Sequence, residues 1–193
     1  MSNLEIVYNP DSILRRGGRR VRADEMHTEE FVENVSRMFS IMYARGGIGL
    51  AAPQIGWHVN VFVINVRGRP LHSTHGLLFV NPKITTYGKL VKIKEGCLSI
   101  PGIEAKVTRP EKVHIEYDII SKDKERRSLD VKGMTSRVIQ HEYDHLDGRL
   151  FIDRLTKKEK SKIKQELIQQ AKNAIESKKR KIKKLKKLEE KGN

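Results

Sequence analysis

The chain has one cysteine among its 193 residues, no long apolar run, and too few acidic residues to balance its basic ones. One cysteine excludes an internal disulfide, which suits a reducing compartment. The N-terminal segment has no apolar region of the kind that a secretion signal needs, and no run approaches the roughly 18 apolar residues of a membrane helix. We therefore expect a cytoplasmic protein without a membrane partner, or one from an organelle stroma or matrix if the chain is a mature form.

The excess of basic residues is concentrated at the C-terminus. The chain has 39 Lys and Arg against 24 Asp and Glu, and residues 156–193 hold 15 of the former and 5 of the latter. We predict one folded domain over residues 1–155 and a basic helix or tail over 156–193. Clustered lysines bind phosphate backbones without reading sequence, although such a run is equally typical of a solvated helix. Both interpretations stay open at this point.

Apolar periodicity predicts helices at both ends of the domain and strands between them. Phe31, Val35, Met38 and Met42 recur at helical spacing after Thr28, a residue type that caps helices. A second helical pattern starts at Gly133 and a third near Thr156. The expected strands are short, antiparallel and separate, at 59–66, 77–80 with Ile84, 89–93, 105–107 and 113–117. The segment 67–76 is predicted to be a loop.

The strongest chemical signal is the pair His141 and His145 with Glu142 between them. Residues four apart on a helix lie on one face, so the two imidazoles can bind one metal ion. A glutamate directly after the first histidine recurs in metal hydrolases, where it moves protons at a metal-bound water. The pattern therefore predicts a hydrolytic metal site that still lacks a third ligand.

Three residues bear on the identity of that ligand. One class of zinc protease places a third histidine where this chain has Phe151, which argues against that class. Another class takes a glutamate about 20 residues downstream, near Glu166, but Glu166 lies in a lysine-rich segment with no sign of a buried site. The remaining candidate is Cys97, although a single cysteine is more often a small buried hydrophobe.

Three segments taken together, GIGLAAPQ at 47–54, EGCLS at 95–99 and QHEYDHLDG at 140–148, resemble the peptide deformylases. The resemblance covers about residues 5–155, and the extension SIPGIEAKVTRP is similar to the bacterial and plastid-type branch. It implies an α+β fold, with antiparallel strands surrounding a central metal-binding helix and with a C-terminal helix. It also implies removal of the N-formyl group from the initiator methionine of nascent chains. Arg137 stands where some members have an apolar residue.

The resemblance assigns the chemical roles position by position. Cys97, His141 and His145 are expected to bind one metal ion. Iron(II) is implied as the physiological ion, with zinc(II) or nickel(II) as substitutes. Glu142 is expected to take a proton from the metal-bound water or hydroxide that attacks the formyl carbon, and to return it to the amine. The Gln54 amide and the Leu98 backbone N–H are expected to stabilise the oxyanion, a contribution of typically ~10²–10³-fold in rate per donor.

The substrate-binding candidates are Gly49, which would bond the peptide backbone, Ile48, Leu50 and Val138, which would line the pocket for the methionine side chain, and Gly96. For the tail, the resemblance implies ribosomal RNA near the peptide exit as the polyanion. Two rival functions stay open on the residues alone. A zinc peptidase accounts for the histidine pair, and a nucleic-acid-binding protein with a vestigial metal site accounts for the tail.

Overall fold

The computed structural model of the chain describes residues 5–66, 76–121 and 125–189. Its main helices are α1 (Glu29–Ala44), α2 (Gly133–Leu146) and α3 (Lys157–Glu189). The strands are β1 (Gly49–Ala51), β2 (Val61–Ile64), β3 (Leu77–Cys97), β4 (Ile100–Asp118) and β5 (Arg126–Lys132). Short 3-10 turns occupy 12–15, 25–27, 52–55 and 151–154. The predicted loop lies outside the described residues except for Gly76. None of the described helices combines the length and apolarity needed to cross a membrane.

Helix α1 begins directly after Thr28, as the sequence predicted, and covers the apolar residues with helical spacing. The Thr28 side chain accepts a hydrogen bond from the Phe31 N–H and so caps the first turn. Phe31, Met38 and Met42 are buried in the core, as their spacing required. After the helix, Gly46 adopts a positive φ of 69°, a conformation that glycine reaches without strain. This turn leads the chain directly into β1.

The five strands form one antiparallel sheet in the order β1-β2-β3-β4-β5. The prediction of separate short strands was wrong in length. The segments at 77–80, 84 and 89–93 belong to one strand, β3, and those at 105–107 and 113–117 belong to β4. Register shifts between Val80 and Lys83 and between Tyr87 and Leu90 interrupt the side-chain alternation. The alternation of apolar and polar residues in the sequence is therefore interrupted, although each strand is continuous.

Helix α2 lies against the sheet and carries polar residues inward. Its apolar residues Val138, Ile139 and Leu146 pack with Phe62 and Phe79 of the sheet. Gln140, Glu142, Asp144 and His145 on the same helix are also buried. Buried polar groups require partners. These buried polar residues lie at the centre of the domain and mark α2 as the helix that carries the candidate site. The domain is α+β, as predicted.

Candidate metal centre

Cys97, His141 and His145 meet between the end of β3 and the middle of α2. Their potential donor atoms all lie within 4.8 Å of one another. The Cys97 sulfur is 3.3 Å from Nε2 of His145. One thiolate and two imidazoles form a donor set that suits zinc, iron(II), nickel or cobalt. Three such donors that converge in a largely buried pocket fit a single transition-metal ion. The described residues are therefore suited to bind one.

The rival third ligand lies elsewhere. Glu166 is exposed on α3 and is not part of this cluster. Phe151, at the position of the third histidine in one protease class, instead stacks on the His141 ring with centroids 6.2 Å apart. The geometry therefore favours Cys97 over both protease alternatives.

Glu95 orients the first histidine. Its Oε2 lies 3.0 Å from Nδ1 of His141, which leaves Nε2 of that ring for a metal. Burial alone would lower the pKa of His141, but its hydrogen bonds with Cys97 and Glu95 raise that pKa well above its ordinary value. Burial also lowers the pKa of His145, and the neighbouring His141 lowers it further.

The carboxylate of Glu95 belongs to a buried network that sequence reasoning missed. Arg109 is fully buried and donates to both Glu95 oxygens, at 2.7 and 2.9 Å, and to Oδ2 of Asp144 at 2.7 Å. Arg137 donates to Oε1 of Glu95 at 2.8 Å and to the Val107 carbonyl at 2.9 Å. Burial would raise the pKa of Glu95, but the hydrogen bonds from His141 and Arg109 hold it well below its usual range. Glu95 is therefore a fixed carboxylate that holds His141 in place.

Unlike Glu95, Glu142 forms no ion pair with the residues that the structure describes. It is 4% exposed, and its Oε2 has no hydrogen-bond partner in the described part of the chain. Burial raises its pKa to about 7. Its carboxylate lies so close to Gly49 that a Cβ at that position would collide with it. A carboxylate with this environment can accept and release a proton near neutral pH.

Gln54 is held with its amide nitrogen toward the sulfur. Its Oε1 accepts a hydrogen bond from the Ala51 N–H at 2.8 Å, which assigns the other end of the amide as the donor. That nitrogen lies 3.4 Å from the Cys97 sulfur and 3.2 Å from the Ser99 hydroxyl. Leu98 follows Cys97 in the two-residue turn between β3 and β4. Both predicted oxyanion donors therefore lie beside the metal-ligand cluster.

A cavity of about 780 Å³ opens in front of these groups. It is lined by most of the predicted site residues: Ile48, Gly49, Gln54, Gly96, Cys97, Leu98, Val138, His141 and Glu142. Leu50 is placed differently, because it is fully buried in the core with α1 residues and does not line the cavity. Gly49, its neighbour on β1, lines the cavity, and strand alternation turns Leu50 to the other side.

Comparisons with known proteins cover the part of the chain that contains this site. A family model described as Polypeptide deformylase matches residues 3–161, a range that includes Cys97, His141 and His145. The chain is 44% identical over 165 residues to peptide deformylase 1B, chloroplastic/mitochondrial, of Arabidopsis thaliana, covering 85% of this chain and 58% of that protein. It is 37% identical over 162 residues to the peptide deformylase of Chlorobium limicola, covering 83% and 84%. A solved peptide deformylase from Plasmodium falciparum matches with a TM-score of 0.80 and 38% identity, covering 88% and 96%.

Proposed function

The chain belongs to the polypeptide deformylase family, and we propose that Cys97, His141 and His145 bind the metal ion with which it acts. It is a metal-dependent deformylase of nascent peptides. Its substrates carry an N-formyl group on the initiator methionine. The observation that carries the residue assignment is the convergence of the three donors within 4.8 Å, next to a buried glutamate. A divalent ion held there supplies Lewis acidity, which lowers the pKa of water and polarises a carbonyl.

Glu142 moves the proton in this reaction. It accepts a proton from water as the water oxygen bonds to the formyl carbon. It then gives that proton to the amine nitrogen as the carbon–nitrogen bond breaks, releasing formate and a free methionine N-terminus. One buried carboxyl with a pKa of about 7 can serve in both directions, because each protonation state is populated near neutral pH.

The oxyanion that develops on the formyl oxygen requires donors that are already aimed at it. The Gln54 amide is fixed by its bond from Ala51 and cannot rotate without breaking that bond. The Leu98 N–H is positioned by the turn that follows Cys97. Donors held rigidly in a site with little water stabilise developing charge without reorganising.

The methionine side chain is proposed to bind beside Val138 and Ile48, and Gly96 also lines the cavity that would receive the substrate. Gly49 lets a peptide backbone approach where any side chain would meet Glu142. Leu50 contributes indirectly, by packing β1 onto the core.

We propose iron(II) as the physiological ion, with zinc(II) and nickel(II) as substitutes. The support is the donor set, because a thiolate with two imidazoles accepts all three metals. The compartment is proposed to be one in which chains start with formylmethionine, either a bacterial cytoplasm or an organelle, in keeping with relatives from Chlorobium and from Arabidopsis.

Substitution of the sulfur ligand tests the metal assignment. Cys97→Ser is expected to weaken metal affinity by more than the 10–100-fold that even an outer-sphere change typically costs. Glu166→Gln is the matched comparison and is expected to keep the wild-type affinity, because Glu166 is exposed and outside the cluster. Metal content after dialysis against graded chelator measures both variants. Retention of the metal by Cys97→Ser together with its loss from Glu166→Gln would support the peptidase alternative.

The basic tail is proposed to bind ribosomal RNA. The first half of α3 is attached to the domain: Ile163 is buried, and the Gln170 side chain donates to the Pro101 carbonyl at 2.7 Å. Beyond Ala174 the described side chains are exposed, among them Lys179, Arg180 and Lys183. An anchored helix that extends a row of cations into solvent suits a phosphate backbone.

Removing residues 175–193 tests this proposal. The deletion takes away nine Lys and Arg and three Glu but keeps the attached half of the helix. Ribosome affinity of the full chain is expected to fall steeply with salt, and the truncated chain is expected to lose about one unit of that log–log slope per phosphate contact removed. Sedimentation with ribosomes at several salt concentrations measures it. An unchanged affinity and slope would refute the role of the tail.

A further inference from the structure

The cavity extends away from the metal-ligand cluster along the backbone that precedes β1. Gly46, Gly47, Ile48 and Gly49 form one wall, and the β3–β4 hairpin forms the other. β1 is the first strand of the sheet and pairs only with β2 among the described strands, so its outer edge faces the cavity. A Cβ at Gly47 would lie 2.9 Å from the Leu98 side chain, and one at Gly49 would meet Glu142. With glycine at three of its four positions, this wall leaves backbone exposed, along which an extended peptide can lie.

The charged side chains around this cavity are mostly paired. The buried Glu95 is matched by Arg109 and Arg137, and at the rim Lys94 forms an ion pair with Glu104. Glu142 lies at the end of the cavity where the formyl group is proposed to react. Arg45 is the remaining lining residue with a charge, and its guanidinium forms no ion pair with the residues that the structure describes. It is exposed, at the end of α1, on the same wall as Gly46–Gly49.

We propose that Arg45 determines specificity by binding a carboxylate on the second or third residue of the formyl peptide. This inference rests on the deformylase function proposed above. Arg45 precedes Gly49 by four residues, so it lies at most about 13 Å along the wall at roughly 3.3 Å per extended residue. An extended peptide whose formyl group is beside Glu142 places its second and third residues over the same stretch. The enzyme therefore prefers nascent chains with Asp or Glu directly after the methionine.

The expected preference for acidic residues is modest because Arg45 is exposed to solvent. A solvent-exposed ion pair changes an equilibrium by about two- to five-fold, and salt screens it. Lys94, across the cavity, is already engaged by Glu104, so it adds no net positive charge to the rim. The discrimination is expected in KM rather than in kcat, because the carboxylate contacts Arg45 before and during the reaction alike.

The test uses two series of formyl-Met tripeptides that carry Glu, Gln or Lys at the second or at the third position. All are C-terminal amides, so that no free terminal carboxylate can substitute for the side chain. For the metal-loaded enzyme at low salt, kcat/KM is expected to follow Glu over Gln over Lys in at least one series, by about two- to five-fold per step. About 0.5 M salt should flatten the order. Arg45→Lys keeps the order, Arg45→Gln removes it, and Arg45→Glu reverses it.

Arg127→Glu is the matched control, because it makes the same charge change on exposed strand β5, at the other end of the sheet from β1. It is expected to leave the order unchanged. Equal rates for all peptides in both series, an order that survives Arg45→Glu, or a reversal by Arg127→Glu would each overturn the proposal. Arg45→Gln provides a second test in case Arg45→Glu does not fold, and the unfolding temperatures of both variants are compared. If the loaded wild-type enzyme hydrolysed none of the peptides, the deformylase function itself would be wrong.

Discussion

Glu142→Gln is expected to retain its metal and to lose about 10²–10⁴-fold in kcat, the usual contribution of a positioned general acid–base. The amide keeps the shape of the side chain against Gly49 but cannot take a proton from water. Glu142 is 4% exposed, and its Oε2 has no partner in the described part of the chain. The nearby Glu95 carboxylate is paired with Arg109 and Arg137, so it is not free to replace Glu142. Formate release from a formyl-Met peptide, with metal content measured in parallel, gives the result.

Glu111→Gln is the comparison for that measurement. Glu111 is partly exposed, pairs with Lys89 and does not line the cavity, so its substitution removes a carboxylate without touching the site. Surface substitutions of this kind usually change the free energy of unfolding by less than about 0.5 kcal/mol, so the variant is expected to stay folded with a kcat close to that of wild type. If Glu142→Gln released formate as fast as Glu111→Gln, Glu142 would not be the proton carrier.

Arg109→Met is expected to cost about 3–5 kcal/mol of unfolding free energy, the typical result of removing one partner from a buried ion pair. Arg109 is fully buried and bonds to both Glu95 and Asp144. Its loss leaves two buried carboxylates with fewer donors, and methionine fills the space without satisfying them. A domain of this size has about 5–15 kcal/mol in total, so the variant should be marginal. Urea denaturation followed by circular dichroism measures the change.

Arg126→Met provides the contrast. Arg126 also pairs with an aspartate, Asp118, but its side chain is 38% exposed. Exposed pairs contribute about 0–1 kcal/mol. A cost for Arg109→Met no larger than that for Arg126→Met would mean that the buried network does not stabilise the domain. Because Glu95 also orients His141, the Arg109 variant should show weaker metal binding at temperatures where it remains folded.

The sequence predicted some parts of the molecule well because their signals are local. The cap and apolar spacing of α1 lie within one helix, and the His141–His145 pair lies within one turn of α2. The lengths of β3 and β4 were not predictable from alternation, because the register shifts displace it along the strand. The third ligand needed a family resemblance, since Cys97 is 44 residues from His141 and no spacing rule connects a strand end to a helix.

The buried network was missed for a related reason. Arg109 is 14 residues from Glu95 and 35 from Asp144, so its role depends on how β4 packs against α2. A weak signal was present: Val107 and Arg109 are two apart on one strand and therefore face the same side. An arginine on the same face as a buried valine has to find buried anions. Arg137 gave a similar hint, one turn before His141 on the same helical face.

The two edge strands of the sheet, β1 and β5, have different features that disfavour self-association. β5 has four charged residues among its seven: Arg126, Arg127, Asp130 and Lys132. Such charges discourage the edge-to-edge pairing by which exposed strands join into aggregates. β1 is three residues long, too short to template another sheet, and its edge faces the cavity between Gly47 and the hairpin. In the proposed binding mode, the edge of the sheet that receives an extended peptide is only three residues long, and charged residues protect the longer edge at β5 from pairing.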